Sequence, residues 1–138
     1  MEVEIFEKTE EMGAAAAAVG IAKLKEVLDE KGSASIIVAT GVSQFDLLAI
    51  LAESDLPWNK ITAFHLDEYV GLPITHGASF RKYLWERFVT QLPLPPAAFH
   101  FLDGEGEVEA ECERVSELIA ATSIDVAFVG IGENGHLA

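Results

Sequence analysis

Apolar positions follow two rhythms along this chain, and the places where one gives way to the other predict its elements. SASIIVAT at residues 33–40 is a continuous β-branched run, the pattern of a strand buried on both faces of a parallel sheet. ITAFHL at 61–66 reads as a second strand, FHFL at 99–102 as a short third, and IDVAFVGIG at 124–132 as a last buried one. Between them the period lengthens to that of a helix. The N-terminal stretch from Glu4 to Gly32 reads as a short strand and then a long alanine-rich helix. Thr9 is expected to cap that helix, Glu10 and Glu11 suit the positive end of its dipole, and Gly32 should end it. GVSQFDLLAILAES at 41–54 turns into a helix, with Ser43 and Asp46 in capping-box spacing. A Gly- and Pro-rich loop leads to a helix from about Ser79 to Gln91, whose Phe80, Leu84, Trp85 and Phe88 read as core contacts. The proline cluster LPLPPAAF breaks it, and EVEAECERVSELIAAT at 107–122 forms the next helix.

Strands alternating with helices of this length predict an α/β fold: a parallel, doubly wound, Rossmann-like sheet with helices on both faces. No repeat, linker or boundary interrupts residues 1–138, so one domain is expected. The chain stops just after its last strand and loop, where a crossover helix would normally follow. It is therefore expected to be truncated there.

Composition narrows the function. With 50% hydrophobic and 23% charged residues the chain is suited to a folded core. No stretch approaches the roughly 20 apolar residues of a membrane span. Lys and Arg total 9 against 23 Asp and Glu, a formal charge of −14. Such a surface repels nucleic-acid phosphates and anionic lipid, and it opposes an anionic small substrate unless a local site overrules the field. The acidic N-terminus does not resemble a leader, and Cys112, the single cysteine, has no internal partner, so a reducing cytoplasm is the expected address. Cys112 itself reads as inert packing within its helix, and the acidic run Asp103–Glu113 as a solvated helix start.

Open parallel sheets bind ligands beyond the carboxyl ends of their strands. Three polar, glycine-containing clusters fall on that edge: Thr40-Gly41-Val42-Ser43, Asp67-Glu68-Tyr69-Val70-Gly71-Leu72, and Gly132-Glu133-Asn134-Gly135-His136. The first opens a helix, where backbone N–H groups favour an anion such as phosphate, although an ordinary strand–turn–helix junction would carry the same residues. A nucleotide-triphosphate loop ending in Gly-Lys-Ser/Thr is absent. Gly130 to Gly135 spells a dinucleotide fingerprint, but in the last strand, with no helix after it to complete the motif. Asp67 and Glu68 are neighbours, so one can face a pocket while the other caps or pairs structurally. His136 lies in a glycine-flanked loop, where an imidazole can act as acid and base. His65, His76 and His100 have no ligand spacing, so no metal is expected.

Phe64-His65-Leu66-Asp67-Glu68-Tyr69-Val70-Gly71-Leu72, followed by His76, Ser79 and an aromatic helix, resembles the signature of the glucosamine-6-phosphate deaminase (isomerase) family. Ala39 to Ser43 is similar to its sugar-phosphate loop, Glu109 to Cys112 to a stretch ahead of its next strand, and Val129 to Ala138 to its second catalytic loop. Related 6-phosphogluconolactonases share the fold but usually carry Arg where Tyr69 stands. The resemblance implies the N-terminal half of a longer sugar-phosphate isomerase domain. It implies that Asp67 is the base moving a proton between C2 and C1, and that His136 assists ring opening with Asn134 beside it. It also implies that Thr40, Gly41, Val42, Ser43, Glu68, Gly132 and Gly135 surround the substrate and its phosphate. No cofactor or metal is implied. Members are often oligomers, so self-association into a homo-oligomer is an open expectation.

The chain departs from the family at Asn134, where well-studied members carry Asp, and at Val42 and Gln44 in the phosphate loop. Asn hydrogen-bonds but cannot stabilise an imidazolium with a full charge. The expected activity is conversion of an amino-sugar phosphate such as glucosamine 6-phosphate to a ketose phosphate and ammonia. A lactone hydrolase of the same fold and a non-catalytic sugar-phosphate sensor stand as alternatives.

Overall fold

The computed structural model describes residues 2–137. The longest element, α1 (Thr9–Lys31), buries Gly13, Ala17, Gly20, Leu24 and Val27 along one stripe. Small residues at three of these positions let α1 lie close to its neighbours. A Cβ added at Gly13 would come 2.7 Å from Cβ of Asp46, and one at Gly20 would come 2.4 Å from the Phe128 ring. Gly32 closes the helix in the left-handed region at φ 76°, its N–H donating to the Leu28 carbonyl.

Strands β1 (Ala34–Val38), β2 (Ile61–His65), β3 (Ala98–His100) and β4 (Val126–Phe128) pair in parallel in the order β3-β2-β1-β4. The doubly wound α/β sheet expected from the sequence is thus present. Helices α2 (Phe45–Glu53) and α3 (Phe80–Arg87) connect β1 to β2 and β2 to β3, and α4 (Val108–Ala120) carries the chain back across to β4. Right-handed crossovers put α4 on the opposite face from α2 and α3, because the direction of winding reverses at β1. The core brings together Leu24, Ile36, Val38, Leu48, Leu51, Trp58, Ile61, Leu84, Phe88 and Phe128. Phe88 packs against the fully buried Trp58, the two rings meeting edge-on with centroids 5.4 Å apart.

Local detail departs from the sequence reading in instructive ways. Residues 2–7 form no strand, and Val3 and Ile5 are exposed: alternation is a local property, whereas a strand needs a hydrogen-bonded neighbour. Thr9 is the first helical residue rather than the cap, and Lys8 stands before it without a side-chain capping bond. Ser43 and Asp46 form no capping box, because a 3₁₀ turn at Val42–Gln44 intervenes before α2 begins. β1 alternates instead of burying both faces equally: Ala34, Ile36 and Val38 are buried, Ser35 and Ile37 only partly. β4 is three residues long and pairs only with β1, so Ala127 is exposed and Phe128 alone is buried. In α3 Leu84 is core as expected, as is Phe88 just past its end, but Trp85 is 52% exposed. Cys112 is exposed too, not packed.

Among the described residues no helix is long and apolar enough to cross a membrane.

Candidate active site at the switch point of the sheet

The winding reverses between β1 and β4, the place where an open parallel sheet offers a crevice beyond its strand ends. The ladder continues a step beyond the strands: Ala39 N–H donates to the Phe128 carbonyl and Leu66 N–H to the Val38 carbonyl, both at 3.0 Å. The three following loops therefore start level with one another. They enclose a cavity of about 220 Å³ lined by Thr40, Gly41 and Ser43 after β1, Leu66 and Asp67 after β2, and Gly130, Ile131, Gly132 and His136 after β4. Phe80 of α3 closes it. Asp67 and His136, expected to share a hollow, do so.

Asp67 is half-buried at the mouth of its loop. Burial pushes its carboxyl above the ordinary aspartate value, the neighbouring Glu68 charge adds to this, and His136 opposes it. A carboxylate made more basic in this way is a better proton acceptor.

Glu68 turns away from the cavity, in correction of its expected place among substrate contacts. Its side chain is 2% exposed. The carboxylate accepts from Tyr69 N–H at 2.9 Å, Phe80 N–H at 3.0 Å, Arg81 N–H at 2.9 Å and the Ser79 hydroxyl at 2.9 Å. Burial would raise its carboxyl, but these donors outweigh burial and hold it below the usual glutamate range. Ser79 itself caps α3, accepting from Lys82 N–H.

His136 sits in a loop closed by its own backbone, Gly132 N–H donating to the His136 carbonyl and Gly135 N–H to the Gly132 carbonyl, both at 2.8 Å. The Asn134 side-chain oxygen accepts from His136 N–H at 3.3 Å and lies against Nδ1 of the same ring. An amide oxygen only accepts, so this contact fits an imidazole with its proton on Nδ1. A Cβ at Gly132 would fall 2.2 Å from the imidazole, so this glycine makes room for the ring. Asn134 and Gly135 shape the loop without lining the cavity.

Gly41 adopts φ 111°, a conformation that suits glycine, and its carbonyl accepts from the Tyr83 hydroxyl at 3.0 Å. Burial, against the opposing charge of Arg87, pushes that hydroxyl up to about 12, so it stays a donor. Tyr83 is fixed by stacking on Phe45, over whose ring the Arg87 guanidinium lies at 4.3 Å. Val42 points outward at 78% exposure and does not line the cavity.

Sequence reasoning missed Arg81 and Tyr83, and it assigned Phe80 to the core, whereas Phe80 is partly buried and lines the cavity. Arg81 is buried, donating to Asp103 at 2.8 Å, Glu105 at 2.7 Å and the Leu72 carbonyl at 3.2 Å, with Nε 3.4 Å from Glu68. Two members of the acidic run thus pair with Arg81, and Glu111 pairs with Arg114, rather than facing solvent freely. A larger hollow of about 590 Å³ lies along the unpaired edge of β4 beside α1. Its lining is mostly apolar, and of its charged members Lys23 is already paired with Glu26 and Asp125 with Lys31, so the smaller crevice is the better candidate for chemistry. Among the described residues no group of His, Cys, Asp and Glu is arranged to hold a metal ion.

Residues 7–138 match the family model described as glucosamine-6-phosphate isomerases/6-phosphogluconolactonase. Glucosamine-6-phosphate deaminase 1 of Giardia intestinalis is 36% identical over 122 residues, which are 84% of this chain and 46% of that protein. The glucosamine-6-phosphate deaminase of Streptococcus pneumoniae is 35% identical over 115 residues, 81% of this chain and 49% of the relative. The chain thus spans about half the length of these relatives. A solved monomeric glucosamine-6-phosphate deaminase superposes with TM-score 0.84 at 29% identity, covering 99% of this chain and 58% of the other. The 6-phosphogluconolactonase of Thermotoga maritima gives 0.86 at 26% identity, covering 98% and 62%. On this match of sequence and fold, the chain belongs to the glucosamine-6-phosphate isomerase/6-phosphogluconolactonase family.

Proposed function

We propose that this chain supplies the acid–base half of an enzyme converting an amino-sugar phosphate, glucosamine 6-phosphate or a close relative, to a ketose phosphate and ammonia. The observation that carries the reading is the shared cavity: Asp67 and His136 line it together with Thr40, Gly41 and Ser43. His136 relays a proton between the hydroxyl at C1 and the ring oxygen, opening the pyranose. Asp67 then takes the proton from C2 and returns it at C1, worth typically about 10²–10⁴-fold in rate. The resulting ketose imine adds water and releases ammonia. Backbone N–H groups and hydroxyls around Gly41 favour the anionic substrate locally, against the overall charge of −14. The reducing cytoplasm suits a chain with one exposed cysteine.

In the full-length protein, Asp67→Asn should abolish ammonia release while sugar-phosphate binding, measured by calorimetry, survives. Full turnover in that variant would refute the assignment. The likeness to the Thermotoga maritima lactonase favours one second reading, hydrolysis of a sugar-phosphate lactone. Assaying ammonia release beside 6-phosphogluconolactone hydrolysis separates the two; tight binding with neither activity would mark a sensor.

A further inference from the structure

Glu68 has the environment of a part under load. It is a nearly inaccessible carboxylate next in sequence to the proposed base, and it accepts from three backbone N–H groups and one hydroxyl. Two of those N–H groups, from Phe80 and Arg81, belong to the first turn of α3, where the dipole also favours negative charge. Burying an ion carries a penalty of several kcal/mol unless its surroundings compensate, and here they do. A residue needed only to fill space could have been apolar.

We propose that Glu68 is a positioning residue for Asp67: anchored on the first turn of α3 and backed by Arg81, it fixes the neighbouring carboxylate at the cavity and keeps a permanent negative charge behind it. This rests on Asp67 being the base. The geometry of adjacent residues makes the device work. Asp67 lines the cavity and its neighbour Glu68 does not, so pinning Glu68 on α3 also fixes the backbone from which Asp67 reaches the crevice.

The charge matters as well as the anchor. Arg81 does not cancel it, because one guanidinium is shared among Glu68, Asp103 and Glu105. His65, packed beneath on β2, adds no positive charge at neutral pH, since burial takes its imidazole down to about 4. The groups acting on Asp67 are then Glu68, which makes it a stronger base, and His136, which opposes this. Tyr69 N–H to Glu68 and Gly71 N–H to the Gly104 carbonyl at 2.6 Å hold the rest of the loop in place.

Glu68→Gln in the full-length protein tests this, with Asp67→Asn alongside. Gln keeps the volume but removes the charge and part of the acceptor set. The expected result is a kcat lower by about 10- to 100-fold with KM little changed, as for a misplaced catalytic group. The acid limb of the kcat/KM profile should also move to lower pH. A merely structural role would lower the melting temperature and leave that limb in place, and such a result overturns the proposal. Full turnover in Asp67→Asn would instead overturn the base assignment. If Glu68→Gln fails to fold, Ser79→Ala removes one donor and leaves the carboxylate. A several-fold fall in kcat at unchanged KM then supports the proposal, and wild-type kcat overturns it.

Discussion

His65 offers a quantitative test of how the floor of the site is built. It lies on β2 two residues before Asp67, is 3% exposed, and has an imidazole that accepts from Leu102 N–H at 3.4 Å through Nδ1, while Nε2 has no partner. Burial lowers its pKa from 6.5 to about 4, with Glu68 opposing and Arg81 assisting. The sign follows directly. Below pH 6.5 the unfolded chain gains a proton here that the folded chain refuses until about pH 4, so stability falls as pH drops through that window. At pH 5 the unfolded histidine is almost fully protonated and the folded one mostly neutral, a difference of about 2 kcal/mol relative to pH 7. Among marginal stabilities of about 5–15 kcal/mol that is a large share. Urea unfolding at pH 7 and pH 5 should therefore show a loss in the parent protein that His65→Gln, which keeps an acceptor for Leu102 but does not titrate, lacks by about 2 kcal/mol. Carboxylates common to both proteins cancel in the comparison. Equal losses in the two would show that His65 is not held neutral, and the reasoning about the charge environment of Asp67 would fall with it.

Two further substitutions probe the packing that sets the loops. Gly20→Ala should destabilise by about 1–2 kcal/mol in chemical denaturation, because overpacking against Phe128 exceeds the roughly 1 kcal/mol gained in helix propensity; a rise in stability would mean that α1 does not lie so close to β4. Gly132→Ala places a Cβ 2.2 Å from the His136 ring, so the imidazole must move by more than 1 Å. Turnover should then fall on the order of 10²-fold with the unfolding midpoint little altered, and wild-type kcat would refute this packing.

The parallel α/β architecture and the convergence of three clusters were legible because both follow from chain-local signals: the hydrophobic period, and the rule that loops after parallel strands share an edge. The divergence of Asp67 from Glu68 was legible in outline, since neighbours on extended backbone must part company. Which of them faced the crevice was not, for the answer lies in the N–H groups of Phe80 and Arg81, a dozen residues on. Arg81 and Tyr83 escaped notice for the same reason: their partners stand 22 to 42 positions away. Periodicity places Trp85 on a helix but does not say how deeply its face is covered, and alternation at residues 2–7 carries no information about a pairing partner.

The three loops are not held alike, and the difference bears on how the site works. Sheet hydrogen bonds only fix where the loops begin. Beyond that, α3 ties two of them to one rigid body: Ser79, Phe80 and Arg81 grip the acid loop through Glu68, while Tyr83, one turn further along, grips the anion loop at the Gly41 carbonyl. On the proposed function, base and phosphate seat would thereby be kept at a set separation, which proton transfer at a carbon requires, since a displacement of about 1 Å there can lower the rate 10²-fold. The hydrogen bonds of the His136 loop among the described residues are internal, running between Gly132, Asn134, Gly135 and His136. Ring opening moves protons between oxygens and tolerates more freedom in its catalyst than abstraction from carbon does. If the proposed function holds, a fold that anchors the carbon base on a helix and leaves the imidazole on a self-closed loop has put its rigidity where the harder step needs it.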